Sequence, residues 1–345
     1  MPDLLPTDVT GDVTGDVTGL PEGLTARPLT LDDAPAAAEL LEAAEAVDDT
    51  GEHEDAADLT EWWDRELVEL PRDGRAVVDA DGRLVAWATS IAPRGGRDAF
   101  RIWTEGRVHP DVRGRGVGRA LLSWQLRRGA EQHAEFGPPG LPARLVTSVW
   151  PAMTSLESML RHAGFEVERL FASMERPLTG LPAVAPPPGV DLVPFTWDRD
   201  DEIRRAHNAS FTEHHGSTER DEQAWRNWFT GRQSFRPDLS VLALTDGAVA
   251  GYVLTYEYEA DTRATGIRTA HFGQIGVLPP ARGRGVASAT IAAALAAAQE
   301  AGYAQAALDV DTENTTGAFA LYERVGFRVA RTHHAWAYVV PPAAG

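Results

Sequence analysis

Two short stretches combine arginine and glycine in a way that suits anion binding. Val277-Leu-Pro-Pro-Ala-Arg282-Gly283-Arg284-Gly285-Val286-Ala287 leads into an alanine-rich run over 288–299. Val108-His-Pro-Asp-Val-Arg113-Gly114-Arg115-Gly116-Val117-Gly118 repeats the device earlier in the chain. Glycine tolerates positive φ and has no Cβ, so such a loop can turn several backbone N–H groups toward one point. A helix starting directly behind it adds the positive end of its dipole. The product is a cradle sized for phosphate or pyrophosphate. The glycine spacing, G-x-G-x-G or G-x-G-x-A, is not the dinucleotide fingerprint, and without lysine neither loop is a Walker A loop.

Each cradle needs a strand in front and a helix behind. The pattern predicts a first strand at 23–30, an amphipathic helix at 31–47, an acidic loop at 48–58 and a helix at 59–70 carrying Trp62 and Trp63. A hairpin turning at Asp81-Gly82, a strand at 99–109 and a helix at 117–133 frame the first loop. A strand at 144–150, a helix at 152–162, Gly164-Phe165 and a strand at 166–176 complete the unit. Residues 179–190 read as a proline-rich linker, semi-rigid and extended. The order of elements then repeats. Asp246-Gly247 follows Asp81-Gly82 by 165 residues, Arg282 follows Arg113 by 169, and Gly326-Phe327 follows Gly164-Phe165 by 162. Three landmarks at near-constant offset indicate a duplicated domain of common size. The expected organisation is a disordered tail over 1–22, a domain over 23–178, the linker, and a second domain over 191–340.

Composition narrows the function. The chain has 345 residues, a formal net charge of −19 and a sequence pI near 4.9. That argues against a duplex nucleic-acid binder, which needs a basic footprint. No cysteine is present, so there is no disulfide, thiolate metal site or cysteine nucleophile. Every basic residue is arginine, which excludes a Schiff-base lysine and suggests a GC-rich genome. No apolar run is long enough for a membrane span, and the acidic N-terminus does not resemble a secretory signal. A cytoplasmic protein without a metal is expected. His214-His215 are adjacent and so point apart on regular structure, with no third ligand spaced to them.

Read as Arg-x-x-Gly-x-Gly/Ala between strand and helix, the loops resemble the acyl-CoA pyrophosphate loop of the GNAT acetyltransferase superfamily. A Val-x-Pro precedes each, and Asn314-Thr-Thr-Gly-Ala-Phe-Ala-Leu321-Tyr322-Glu-Arg-Val-Gly326-Phe327 resembles that family's closing motif. Asn314 stands one residue further from Tyr322 than the usual family spacing. The resemblance covers both halves, and the tandem layout is similar to that of the mycothiol synthases. It implies an α/β fold of α+β character: two tandem GNAT domains, each a mixed, centrally splayed β-sheet flanked by helices. It implies acetyl-CoA as cofactor, with Val277, Arg282–Ala287 and Asn314 binding it in one copy and Val108 and Arg113–Gly118 in the other. It further implies direct acetyl transfer to a primary amine of a small molecule or peptide. A β-bulge N–H would polarise the thioester carbonyl, a base would take the ammonium proton, and an acid would protonate the leaving thiolate.

The copies differ at the positions that would move protons. The acid position, four residues before Gly-Phe, is Tyr322 in the second copy and Leu160 in the first. The base position, eleven residues before the loop's first arginine, is His271 in the second and Ile102 in the first, where Glu105 is a polar alternative. The second domain is therefore expected to catalyse, and the first to keep a cradle without turnover. Acceptor-side candidates are His214, His215, Trp225 and Trp228, with Glu257 and Glu259 sharing one face of a strand and Tyr256 and Tyr258 the other. A tandem that binds acyl-CoA without catalysis is the alternative, and mycothiol synthesis is a sub-case of the enzyme reading. Either a monomer with two pseudo-symmetric domains or a homodimer fits.

Overall fold

A computed structural model describes residues 16–93, 98–181, 184–212, 219–314 and 317–342. The chain forms two compact units, 1–168 with 333–345, and 169–332. In unit 1, β1 (Thr25–Pro28), β2 (Gly74–Val78), β3 (Leu84–Ile91) and β4 (Phe100–Val108) form an antiparallel run. The helices α1 (Ala34–Asp48), α2 (Ala56–Trp63) and the short α3 (Leu70–Asp73) lie between β1 and β2 in sequence. Behind the first loop come α4 (Val117–Phe136), β5 (Ala143–Val149) and α5 (Thr154–His162). β4 pairs in parallel with β5 only over 100–103 and 143–146, then the two strands part.

The next strand, β6 (Glu166–Pro177), does not finish unit 1. Its residues 171–177 pair antiparallel with β11 (Gln305–Asp311) in unit 2. The last strand, β12 (Arg328–Val340), closes unit 1 instead, with 334–340 beside β5. The boundaries expected at 178 and 191 therefore differ from the compact units. The cause is packing: Ala172, Met174 and Leu178 belong to the core of unit 2, and Trp336 to the core of unit 1. A duplicated sequence supplies two similar strands, and pattern alone does not say which half each one completes.

Unit 2 continues with β7 (Val190–Pro194), α6 (Asp200–Ser210), α7 (Glu222–Trp225) and a π-helical turn over 226–230. β8 (Phe235–Thr245), β9 (Ala248–Tyr256), α8 (Glu259–Thr265) and β10 (Thr269–Val277) follow, then α9 (Val286–Glu300), β11, and α10 (Ala318–Arg324). β7 to β10 are antiparallel, and β10 meets β11 in parallel over only three residues, 269–271 with 305–307. The alanines of α9 let it lie close on this sheet, burying Ala289, Ile291, Ala294, Leu295 and Ala298.

Three local expectations change. Residues 1–15 lie outside the described residues, but Val17 is buried against Val77, Val85 and Trp124 instead of belonging to a disordered tail. Residues 56–58 are helical rather than loop, because Asp55 caps the N–H groups of Ala57 and Asp58. β9 ends at Tyr256, so the strand alternation does not reach Glu259, which opens α8.

Candidate active site

In unit 2 the cradle forms where β10 ends and α9 begins. Gly283 and Gly285 sit at φ +72° and +81°, and Gly285 is the N-cap of α9 with no side-chain cap on the helix. Free N–H groups at a helix start need a partner from outside the helix. A Cβ at Gly283 would meet open space, so the left-handed backbone, not crowding, asks for glycine there. Val286 is buried beneath the loop and Ala287 half-buried. Arg284 is exposed, with no hydrogen bond or ion pair among the described residues. These features fit a diphosphate: two left-handed glycines, an uncapped helix start and one exposed cation.

Arg282 is turned toward protein. Its Nε donates to the Val277 carbonyl at 3.2 Å and its Nη2 to the Ser210 carbonyl at 2.9 Å, fastening the loop to the end of α6. Unit 1 repeats this. Arg113 donates to the Val108 carbonyl at 2.9 Å and holds both oxygens of Asp48, the last residue of α1, at 2.6 and 2.8 Å. Gly114 and Gly116 have φ +75° and +96°, Arg115 is exposed, and Val117 and Gly118 open α4. In both copies the first arginine braces the loop, and the second is free to meet a ligand.

His271 is the last β10 residue paired with β11, at the point where the strands part. Directly after it the β9–β10 register shifts between Phe272 and Gln274, a bulge with Gly273 as the extra residue. A Cβ on Gly273 would lie 2.7 Å from the Tyr256 ring, so a side chain has no room there. The His271 ring meets Tyr258 edge-on at 4.8 Å, and its Nε2 lies 3.6 Å from Asp261 Oδ2. Burial pushes the His271 pKa down to about 4, with Asp309 opposing, so the imidazole is neutral at pH 7 and able to accept a proton.

Tyr322, on α10, packs in the core that also holds Ala270 and Phe272. Since His271 alternates with those two residues along β10, the histidine and the tyrosine flank the gap from opposite faces of the sheet. Burial pushes the Tyr322 pKa up to about 12. Its hydroxyl makes no hydrogen bond among the described residues. A neutral base and a protonated, uncommitted acid are what amine acylation requires.

Unit 1 lacks this pair. Ile102 is 0% exposed and Leu160 1%, both in one apolar core. The β3–β4 register runs without a shift, so there is no bulge. Glu105 is exposed on β4 with protein crowded around its carboxyl. That setting raises its pKa, with Arg107 and Arg65 opposing.

The acceptor-side candidates separate. Trp225 is buried, donates to Asp200 Oδ1 at 2.7 Å and packs at a tilt against His207 and Phe229, a core role. Trp228 is half-buried at the edge of that cluster. Glu257 is buried and saturated: Arg236, Arg268 and the Tyr303 hydroxyl, at 3.0, 2.7 and 2.5 Å, hold its pKa down to about 2 against burial. Glu259 is exposed and lies 3.5 Å from Arg236. Trp63 is core, whereas Trp62 stacks on Trp103 at 5.6 Å. Asn314 lies in a turn, its N–H on the Asp311 carbonyl. His214 and His215 lie outside the described residues. Sequence reasoning missed Asp261, which a helix after β9 brings to His271, and the brace role of Arg113 and Arg282. Nothing local separates the two arginines of each loop, since each directly precedes a glycine with positive φ.

The model of the acetyltransferase (GNAT) family matches residues 37–137 and 201–327. A mycothiol acetyltransferase from Frankia casuarinae is 34% identical over 71% of this chain and 69% of its own length. A protein of the same name from Mycolicibacterium gilvum is 28% identical over 91% of this chain and 97% of its own. The crystal structure of a GCN5-related N-acetyltransferase from Sphaerobacter thermophilus superposes with a TM-score of 0.74 at 26% identity, covering 94% of this chain and 98% of that one.

Proposed function

Because the chain belongs to the GNAT acetyltransferase family and is an acyl-CoA-dependent acyltransferase, we propose that unit 2 transfers acetyl from acetyl-CoA to a primary amine of a small molecule, while unit 1 does not turn over. The observation that carries this is the asymmetry: bulge, His271 and Tyr322 in one copy, and Ile102, Leu160 and an unshifted register in the other. Bound acyl-CoA supplies the activated thioester. The N–H groups of residues 283–287 and the Arg284 guanidinium hold its diphosphate. His271 takes the proton from the attacking ammonium, directly or through a water. A backbone N–H at the 272–274 bulge polarises the thioester carbonyl. Tyr322 gives its proton to the leaving sulfur. With no cysteine in the chain, acyl passes directly to the amine rather than through an enzyme thioester.

A narrower reading, that the chain shares the activity for which its mycothiol acetyltransferase relatives are named, is favoured by their coverage of both halves. Thiol release from acetyl-CoA over an amine panel tests both. Release with an acceptor from mycothiol formation selects the narrower reading, release with other amines the broader. No release with any amine refutes both. No helix among the described residues is long and apolar enough to cross a membrane.

A further inference from the structure

The inward row of β6 reads Ala172, Met174 and Arg176 and runs on to Leu178 just past its end, all buried in unit 2. Three are apolar; the fourth is an arginine, 7% exposed as a residue, whose Nη atoms still reach solvent. Among the described residues Arg176 has no hydrogen bond or ion pair, and its Nε is buried without a partner. The charge acting on it is Arg328, of like sign, and together with burial it lowers the Arg176 pKa. The guanidinium lies flat on Gly326, at the turn between α10 and β12: a Cβ there would collide with Nη1 and stand 2.9 Å from Cζ. A partly desolvated cation whose nearest charge is of like sign favours an anion beside it.

The duplication supplies an internal control. Counting by the 162-residue offset of the Gly-Phe landmarks, Gly326 corresponds to Gly164 and Arg176 to Tyr338. In unit 1 the Tyr338 ring fills this place, with Cε2 3.6 Å from where a Gly164 Cβ would sit. An aromatic ring therefore satisfies the packing, and the fold does not require a cation. Arg328 is exposed beside Arg176, its Nη1 donating to the Glu323 and Phe327 carbonyls at 3.2 and 2.9 Å.

We propose that Arg176 and Arg328 form a binding site for a small oxyanion, separate from the acyl-CoA cradle and on the sheet face opposite His271. Arg176 is paired with Ala306 on β11, and the Ala306, Leu308, Val310 row faces the α9–α10 core, whereas His271 alternates to the other side. Guanidinium groups offer forked donors that match phosphate, sulfate or carboxylate oxygens. Gly326 keeps the fork seated against the backbone, leaving its outer edge for the ligand.

The test uses full-length protein with saturating CoA, so that both loops are filled. Sodium phosphate, sulfate and acetate are titrated against chloride at equal ionic strength, and binding heat and thermal midpoint are followed. Wild type should bind phosphate saturably, at least tenfold more tightly than Arg176→Met or Arg328→Gln. In chloride, Arg176→Met should melt no lower than wild type, because an uncompensated charge has gone. A response to phosphate and sulfate alone marks a tetrahedral ligand, and an equal response to acetate marks a carboxylate. Should Arg176→Met fail to fold, Arg328→Gln decides. Equal phosphate affinity in wild type and in every folded variant, or no saturable binding by wild type, overturns the proposal.

Discussion

Tyr322→Phe separates acid catalysis from structure. The Tyr322 ring packs on Phe327 with centroids 6.3 Å apart, and phenylalanine keeps that contact. The hydroxyl has no hydrogen-bond partner among the described residues, so removing it strands no other group. Folding stability should change by less than about 0.5 kcal/mol. Burial raises the hydroxyl pKa from 10 to about 12, which corresponds to about 2.7 kcal/mol against ionisation. At pH 8 the group is therefore protonated in all but about one molecule in 10⁴. A positioned general acid contributes roughly 10²–10⁴-fold, or about 2.7–5.5 kcal/mol of barrier. Thiol release at saturating amine reads this directly, and because the chain has no cysteine a thiol reagent sees only CoA. The expected result is kcat lowered by about 10²–10⁴-fold, with CoA affinity and denaturant midpoint unchanged. A kcat within about threefold of wild type, about 0.65 kcal/mol of barrier or less, would refute the acid role.

His271→Gln should lower kcat by a similar factor of roughly 10²–10⁴ without weakening CoA binding. Since the folded pKa is about 4 rather than 6.5, the wild-type kcat profile should show no histidine limb near pH 6.5, and the histidine should cost stability only as pH falls from 6.5 toward 4. Glu257→Gln should destabilise unit 2 by about 3 kcal/mol in urea, because it breaks a buried carboxylate's ion pairs. In wild type, that carboxylate's contribution is present above pH 4.5 and fades as pH drops toward 2, readable as a falling urea midpoint that the variant does not share. Arg284→Ala should weaken CoA binding and leave the urea midpoint alone. Arg282→Ala should lower the unfolding free energy by about 0.5–1.5 kcal/mol, read as a lower urea midpoint, through loss of its solvent-exposed hydrogen bonds to Val277 and Ser210.

Much of this was legible in residue order. The loops, the duplication and the Leu160/Tyr322 contrast are local patterns, and local patterns survive folding. What stayed hidden depends on long-range pairing. The exchange of β6 and β12 between units could not be seen, because either strand satisfies either sheet by pattern. Glu257 was read as facing solvent or substrate, since its partners Arg236, Arg268 and Tyr303 lie 11 to 46 residues away. Asp261 approaches His271 only because the chain leaves β9 at Tyr256 and turns into α8.

Whether the second copy alone performs acyl transfer is tested most directly by closing one cradle at a time. Gly116→Val and Gly285→Val each place a β-branched side chain where φ is +96° or +81°, and each variant is assayed for thiol release with the same amine. Catalysis confined to unit 2 predicts wild-type turnover for Gly116→Val and no detectable turnover for Gly285→Val, with both variants folded by circular dichroism. Turnover retained in Gly285→Val and lost in Gly116→Val would contradict it.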